Sequence, residues 1–124
     1  MARILVVDDA PEILQYMAVS LNAAHHEVMT ANNGQEACEV ARREHPDLIF
    51  MDLMMPVMNG MDAARSLKED QETSGIPIVA VSAYTLTEEY KKYFNLSMPK
   101  PCRFVDIIQI VDTICRQLVG KAAN

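Results

Sequence analysis

Short apolar or β-branched runs alternate along this chain with longer stretches of helical period, and a parallel sheet covered by helices on both faces is the arrangement that buries both kinds of segment. The runs are RILVV (3–7), EVMT (27–30), DLIFM (47–51), PIVAV (77–81) and NLSM (95–98). The first, third and fourth are apolar at nearly every position, as strands buried on two faces require. Between the runs, the spacing predicts helices over about 11–24, 34–44, 59–69, 86–93 and 102–119. Pro11 suits a first helical turn, Asn33-Gly34 marks a turn, and Asn59-Gly60 opens the third helix. In the last helix Phe104, Ile107, Ile108, Val111, Ile114, Cys115 and Leu118 form the expected core stripe, with Val105 and Ile110 off it.

A chain of 124 residues, half of them hydrophobic, is one domain's worth, so residues 1–124 read as a single unit with a frayed tail from about 120. Eleven Lys and Arg against seventeen Asp and Glu give a net charge of −6, which argues against nucleic acid as a direct partner. Cys38, Cys102 and Cys115 are odd in number and form no C-x-x-C pair, so neither a disulfide framework nor a zinc site is expected. The apolar start at Ile4–Val7 is too short for a signal-peptide core or a membrane span, and the expected location is the cytoplasm.

In a doubly wound sheet, ligands sit beyond the carboxyl ends of the strands, where the connection order reverses. Asp8 and Asp9 follow the first run, Asp52 the third, Ser82 the fourth and Lys100 the fifth. Singly, Asp8-Asp9 reads as a helix cap and Asp52 as a solvated strand end. Jointly, three carboxylates on one edge need a cation, and all-oxygen ligands favour a hard one, Mg²⁺ before Ca²⁺ or Zn²⁺. Such an ion, with Ser82 and Lys100, also makes a cradle for a phosphoryl group in which Asp52 is a candidate nucleophile.

These residues resemble the receiver domain of bacterial two-component response regulators. The resemblance rests on ILVVDD (4–9), PDLIFMDLMMPVMNG (46–60), IPIVAVSA (76–83) and Lys100-Pro101, in that order, and spans almost the whole chain. It implies a flavodoxin-like five-stranded parallel sheet of order 2-1-3-4-5 with five helices. It also implies Asp52 as phosphoacceptor, and Mg²⁺ (or Mn²⁺) held by Asp8, Asp9, Asp52 and the backbone carbonyl of Met54. Ser82 would be the switch hydroxyl, Ala83 a further phosphoryl contact, Lys100 the phosphate-binding lysine, and Lys100–Pro101 a cis peptide. The function implied is a stand-alone signalling receiver, not an enzyme beyond Mg²⁺-dependent self-phosphorylation from small donors and autodephosphorylation. Its partners would be a histidine kinase or histidine phosphotransfer protein and a downstream protein, with the chain a monomer or a phosphorylation-dependent dimer.

Two departures from the family pattern stand out. Ser97 occupies the place, three residues before the lysine, where Tyr or Phe is usual; Tyr84, Tyr90, Tyr93 and Phe94 are the candidate replacements. Ser82 and Lys100 are also about one helical turn closer in sequence than usual, and Pro99 threatens strand pairing. Met54 and Tyr84, two past the phosphoacceptor and two past the switch hydroxyl, are bulky and predict slow hydrolysis of an aspartyl phosphate. Met51 and Met61 read as core, and Met54, Met55 and Met58 as partner contacts. His25-His26 reads as a solvated turn. The alternatives are a non-phosphorylated scaffold of receiver fold and, less fitting, an aspartate-nucleophile phosphohydrolase. The latter would carry D-x-D after the first strand, and a cap for which this chain has no room. A flavin-binding reading fails because Asp8-Asp9 would repel the cofactor phosphate.

Overall fold

The computed structural model describes residues 1–83 and 85–123, with the backbone alone for 118–123. Five strands alternate with five helices: β1 (Arg3–Val7), α1 (Pro11–Ala23), β2 (Glu27–Ala31), α2 (Gly34–Glu44), β3 (Leu48–Asp52), α3 (Gly60–Glu69), β4 (Ile78–Ser82), α4 (Glu88–Lys91), β5 (Leu96–Pro99) and α5 (Phe104–Ala123). All strand pairings are parallel, in the order β2-β1-β3-β4-β5.

The central strands divide their side chains between two cores by parity, which is why their runs are continuously apolar. Leu5, Val7, Ile49, Met51 and Ile78 face Ala37, Cys38 and Ala41 of α2 and Ala63, Ala64 and Leu67 of α3. Ile4, Val6, Leu48, Phe50, Val79 and Val81 face Met17 and Leu21 of α1 and Ile107, Val111 and Ile114 of α5. Phe50 at 1% exposure and Ile4 at 0% each contribute about 2–3 kcal/mol of hydrophobic burial.

Local signals set the helix starts. Asn33 caps α2 by accepting the Glu36 N–H at 2.8 Å, and Asn59 caps α3 by accepting the Asp62 N–H at 2.9 Å. Several expectations need correction. α4 has four residues instead of the 86–93 expected, because Thr87 is extended (φ −73°, ψ 157°). α5 begins at Phe104 and runs to Ala123, through most of the tail expected to fray. Phe104 is 44% exposed, since it opens the helix at the sheet's carboxyl edge before the core closes, whereas Ile110 packs on the α1/α5 core. Leu118 and Tyr84 fall where side chains lie outside the described residues. Met55 and Met58 pack against the α2/α3 core rather than facing outward, which leaves Met54 the exposed one of the three. His26 is structural: its Nδ1 accepts the Ala2 N–H at 3.0 Å. Among the described residues no helix is long and apolar enough to cross a membrane.

Candidate functional site

The carboxyl edge of the sheet gathers the ionisable residues. β1 runs directly into Asp8 and Asp9, β3 closes on Asp52, β4 on Ser82, and Lys100 follows β5. Asp8 and Asp52 are almost completely buried, while Asp9 is exposed. Asp8 is fixed at both ends: its N–H donates to the Ala31 carbonyl at 3.1 Å, and its Oδ1 accepts the Ala10 N–H at 2.9 Å. It does not cap α1, whose N-cap is Ala10 and makes no side-chain cap bond. Pro11 at the first helical position has no N–H to satisfy, so the aspartates are released from capping.

Asp52 is held from behind by Gly60. A Cβ at Gly60 would collide with the Asp52 carbonyl, so only glycine lets α3 start this close to the strand end. The Gly60 N–H donates to the Leu53 carbonyl at 2.9 Å and the Gly34 N–H to the Met58 carbonyl at 2.8 Å, tying the loop between them. Sequence reasoning took Asn59-Gly60 only as a helix start; its Asn-Gly signal holds the second role as well. The same loop contains Val57 at φ 70°, spanned by a Met58 N–H to Pro56 carbonyl bond of 2.8 Å. That three-residue turn places a β-branched side chain, 77% exposed, in a conformation it adopts only under strain.

Lys100 completes the cluster. Its Nζ lies 2.8 Å from Asp8 Oδ2 and 3.1 Å from Asp52 Oδ1. The peptide bond Lys100–Pro101 is cis. Pro99 does not weaken the sheet: it lies opposite Ser82, and the bond to the Ser82 carbonyl is donated by the Lys100 N–H at 3.1 Å. The donor that proline lacks falls on the open edge, where none is needed. Ser82 lies one residue past Val81, the cross-strand partner of Asp52, and Ala83 follows it at the surface. Ser97 pairs with Ala80 on the outermost strand and is exposed.

The charges do not balance. Carboxylate oxygens of Asp8, Asp9 and Asp52 lie within 4.8 Å of one another against the single ammonium of Lys100. Burial, with Asp8 repulsion adding to it, pushes the Asp52 carboxyl above its ordinary value although Lys100 pulls the other way. Burial alone would lower the Lys100 ammonium, but its hydrogen bonds to Asp8 and Asp52 outweigh that and hold it above the usual lysine value. A cluster of hard oxygen donors with surplus negative charge fits a divalent cation of the Mg²⁺ type. Met54, two residues beyond Asp52, is 61% exposed at the rim.

A sheet of order β2-β1-β3-β4-β5 with lysine-bridged aspartates at its carboxyl edge places the chain in the class of flavodoxin-like α/β domains with an acidic site beyond the strand ends. Within that class, the sequence profile of the response regulator receiver domain matches residues 4–112, and the chain belongs to that family. It is 44% identical over 82 residues to Protein PilH of Pseudomonas aeruginosa, a match covering 66% of this chain and 68% of that protein. It is equally identical to Response regulator PleD of Caulobacter vibrioides, where the match covers only 18% of the longer protein. Among solved structures, the chemotaxis response regulator CheY4 of Vibrio cholerae superposes with a TM-score of 0.83 at 28% identity, covering 92% of this chain and 98% of that one. Response regulator TrrA of Thermotoga maritima, in complex with Mg²⁺-BeF, gives 0.84 at 27% identity, covering 92% and 99%.

Proposed function

We propose that this chain is a signalling receiver that takes a phosphoryl group onto Asp52 from a phosphohistidine of a histidine kinase or histidine phosphotransfer protein. The signal then passes by protein binding or by onward phosphotransfer. The observation that carries this reading is the Lys100 ammonium bridging Asp8 and Asp52, with a third carboxylate beside them. It would let the buried carboxylate of Asp52 act as a nucleophile once a divalent cation offsets the surplus negative charge around it, with Lys100 in reach of the incoming group.

In the transfer, an Asp52 carboxylate oxygen attacks phosphorus as the phosphorus–nitrogen bond breaks, and the electron pair leaves with the donor imidazole. Lys100 then shifts its contact from Asp52 to a phosphoryl oxygen, while its second bond, to Asp8, keeps the ammonium in place. The Ser82 hydroxyl donates to another phosphoryl oxygen, and Ala83 offers its N–H. Asp8, Asp9, Asp52 and the Met54 carbonyl would hold Mg²⁺, which neutralises charge on the transferring group when bound. Met54, 61% exposed and in one cleft wall with Ser82, together with Tyr84 would hinder the approach of a hydrolytic water, so the aspartyl phosphate is expected to be long-lived.

The donor would approach from the α1 side. There a cavity of about 460 Å³, lined by Ile13, Tyr16, Pro101 and Cys102, opens beside Lys100, and Tyr16 and Val19 are exposed on α1. A helix carrying the phosphohistidine would cover these apolar groups while its imidazole faces Asp52. The test is intact-mass analysis after incubation with acetyl phosphate and Mg²⁺. A metal-dependent phosphoryl adduct on wild type but not on Asp52→Asn is the expected result; an equal adduct on both, or none on wild type, overturns the reading.

A further inference from the structure

The segment after β4 is folded less than its sequence encodes. Residues 85–95 read TLTEEYKKYFN, in which Thr85 and Glu88 have capping-box spacing and Leu86, Tyr90 and Phe94 recur every fourth residue, as one stripe of a longer helix requires. In the structure the helix occupies only Glu88–Lys91. Its N-cap is Thr87, which makes no side-chain cap bond, and none of its four residues is buried. Beyond it the chain continues in tight turns, Tyr93 N–H to the Tyr90 carbonyl and Phe94 N–H to the Lys91 carbonyl, both at 3.1 Å.

Tyr93 and Phe94 already pack half-buried against the α2/α3 core, and the space that the rest of a longer helix would cover lies open beside them. One cavity of about 470 Å³ lies against β5, with Phe94 and Ser97 in its wall. Another of about 340 Å³ lies against α3, with Met61 and Tyr90 in its wall. Leu53, Ser82, Thr85 and Leu86 line both. The sheet face here offers the small side chains of Ala80 and Ser97, so it presents no bulk of its own.

We infer that residues 85–95 form a conditional helix: phosphorylation of Asp52 winds them into one helix from Leu86 to Phe94, which lays Leu86, Tyr90 and Phe94 into the two cavities. The trigger rests on the proposed phosphoacceptor role of Asp52. Ser82, drawn toward the phosphoryl oxygens, moves the wall common to both cavities and the chain that leads into Thr85. The longer helix then starts at its encoded cap, with Glu88 turned from its present 3.0 Å pair with Lys91 toward the Thr85 N–H.

The test is hydrogen exchange of peptides spanning 85–95, in chain treated with acetyl phosphate and Mg²⁺ and checked for its adduct by intact mass, beside Glu88→Pro treated alike. Proline at 88 suits the short helix, where it takes the first position after an extended Thr87, but it bars Thr87 from the helical conformation that the longer helix needs. Exchange in wild type is expected to slow by about tenfold on phosphorylation, and in Glu88→Pro to stay fast although the adduct forms. An adduct without slowing overturns the inference and leaves the function standing. Equal slowing in both proteins overturns the winding, and a Glu88→Pro chain that takes no phosphoryl group overturns the order of cause and effect. No adduct on wild type overturns the phosphoacceptor role and the trigger together.

Discussion

Asp52→Asn should make this protein more stable. Asp52 Oδ1 accepts a hydrogen bond from the Lys100 ammonium at 3.1 Å, an attraction of about 5 kcal/mol at an effective dielectric of 20. Against it stand Asp8 and Asp9, whose oxygens lie within 4.8 Å and repel Asp52 by about 3.5 kcal/mol each on the same scale. Solvent screens the exposed Asp9, so attraction and repulsion nearly cancel. What remains is the burial of a carboxylate that is 5% exposed, an uncompensated cost of about 1–2 kcal/mol. Asparagine removes the charge, keeps the shape, and leaves Lys100 paired with Asp8.

The pH dependence gives the sign independently. Because burial raises the Asp52 carboxyl above its unfolded value of 3.8, the folded chain binds this proton more readily than the unfolded one. The wild-type penalty is therefore absent below the unfolded value, grows as pH rises from there, and is complete above the folded value. Urea melts in EDTA at pH 7 should place Asp52→Asn about 1–2 kcal/mol above wild type, or roughly 5 °C in thermal midpoint, with the gap closing under acid. Saturating Mg²⁺ should narrow it from the other side by stabilising wild type more. A variant no more stable than wild type at pH 7 without metal would refute the charge-imbalance argument.

Other consequences can be read from single residues. Gly60→Ala forces the Asp52 carbonyl and α3 apart, and should cost about 3 kcal/mol in denaturant melts while weakening Mg²⁺ binding by calorimetry. Val57→Gly relieves a β-branched residue at φ 70° and should add about 1 kcal/mol of stability, read from the same melts. Burial holds the His26 imidazole below its usual 6.5, and its Nδ1 must stay unprotonated to accept from Ala2; stability should therefore fall as pH drops through and below 6.5, and His26→Asn should flatten that slope. Met54→Asn should shorten the lifetime of the aspartyl phosphate several-fold by opening the water path, followed by the decay of the adduct mass.

The parts of the fold legible in the sequence are those where one residue type answers one physical demand. β1, β3 and β4 announce themselves because both parities are apolar, and both parities are buried. The carboxyl-edge residues were legible for the complementary reason: an aspartate directly after four apolar residues, as Asp8 and Asp52 both are, has no place to go except the strand end. What escaped were features set by distance between segments. That Gly60 approaches the Asp52 carbonyl, or that the missing N–H of Pro99 falls on the open edge while Lys100 donates to Ser82, depends on chain approach and register that no local pattern carries. Phe104 shares the periodicity of the core stripe yet lies outside it, because periodicity gives a direction around a helix but not a height along it.

The two departures from the family pattern, a serine for an aromatic ring at position 97 and a shortened span from Ser82 to Lys100, are two ends of one packing fact. With no ring standing on β5 and no residue of α4 buried, the layer between α3 and the sheet's last strand is filled only in part, by the half-buried Tyr93 and Phe94, and cavities of about 470 and 340 Å³ remain there. The sequence shows the shortening as a count of residues, but the emptied layer follows only once Ser97 is seen to pair with the equally small Ala80. Apolar side chains along these open clefts face solvent that a rearranged segment would exclude, so this segment leaves burial unused beside the strand end that carries Ser82. In the conditional-helix proposal, a small displacement of Ser82, in the wall of both cavities, would tip the segment. That would give the strand end a means of reporting on Asp52 without a rotating ring at position 97.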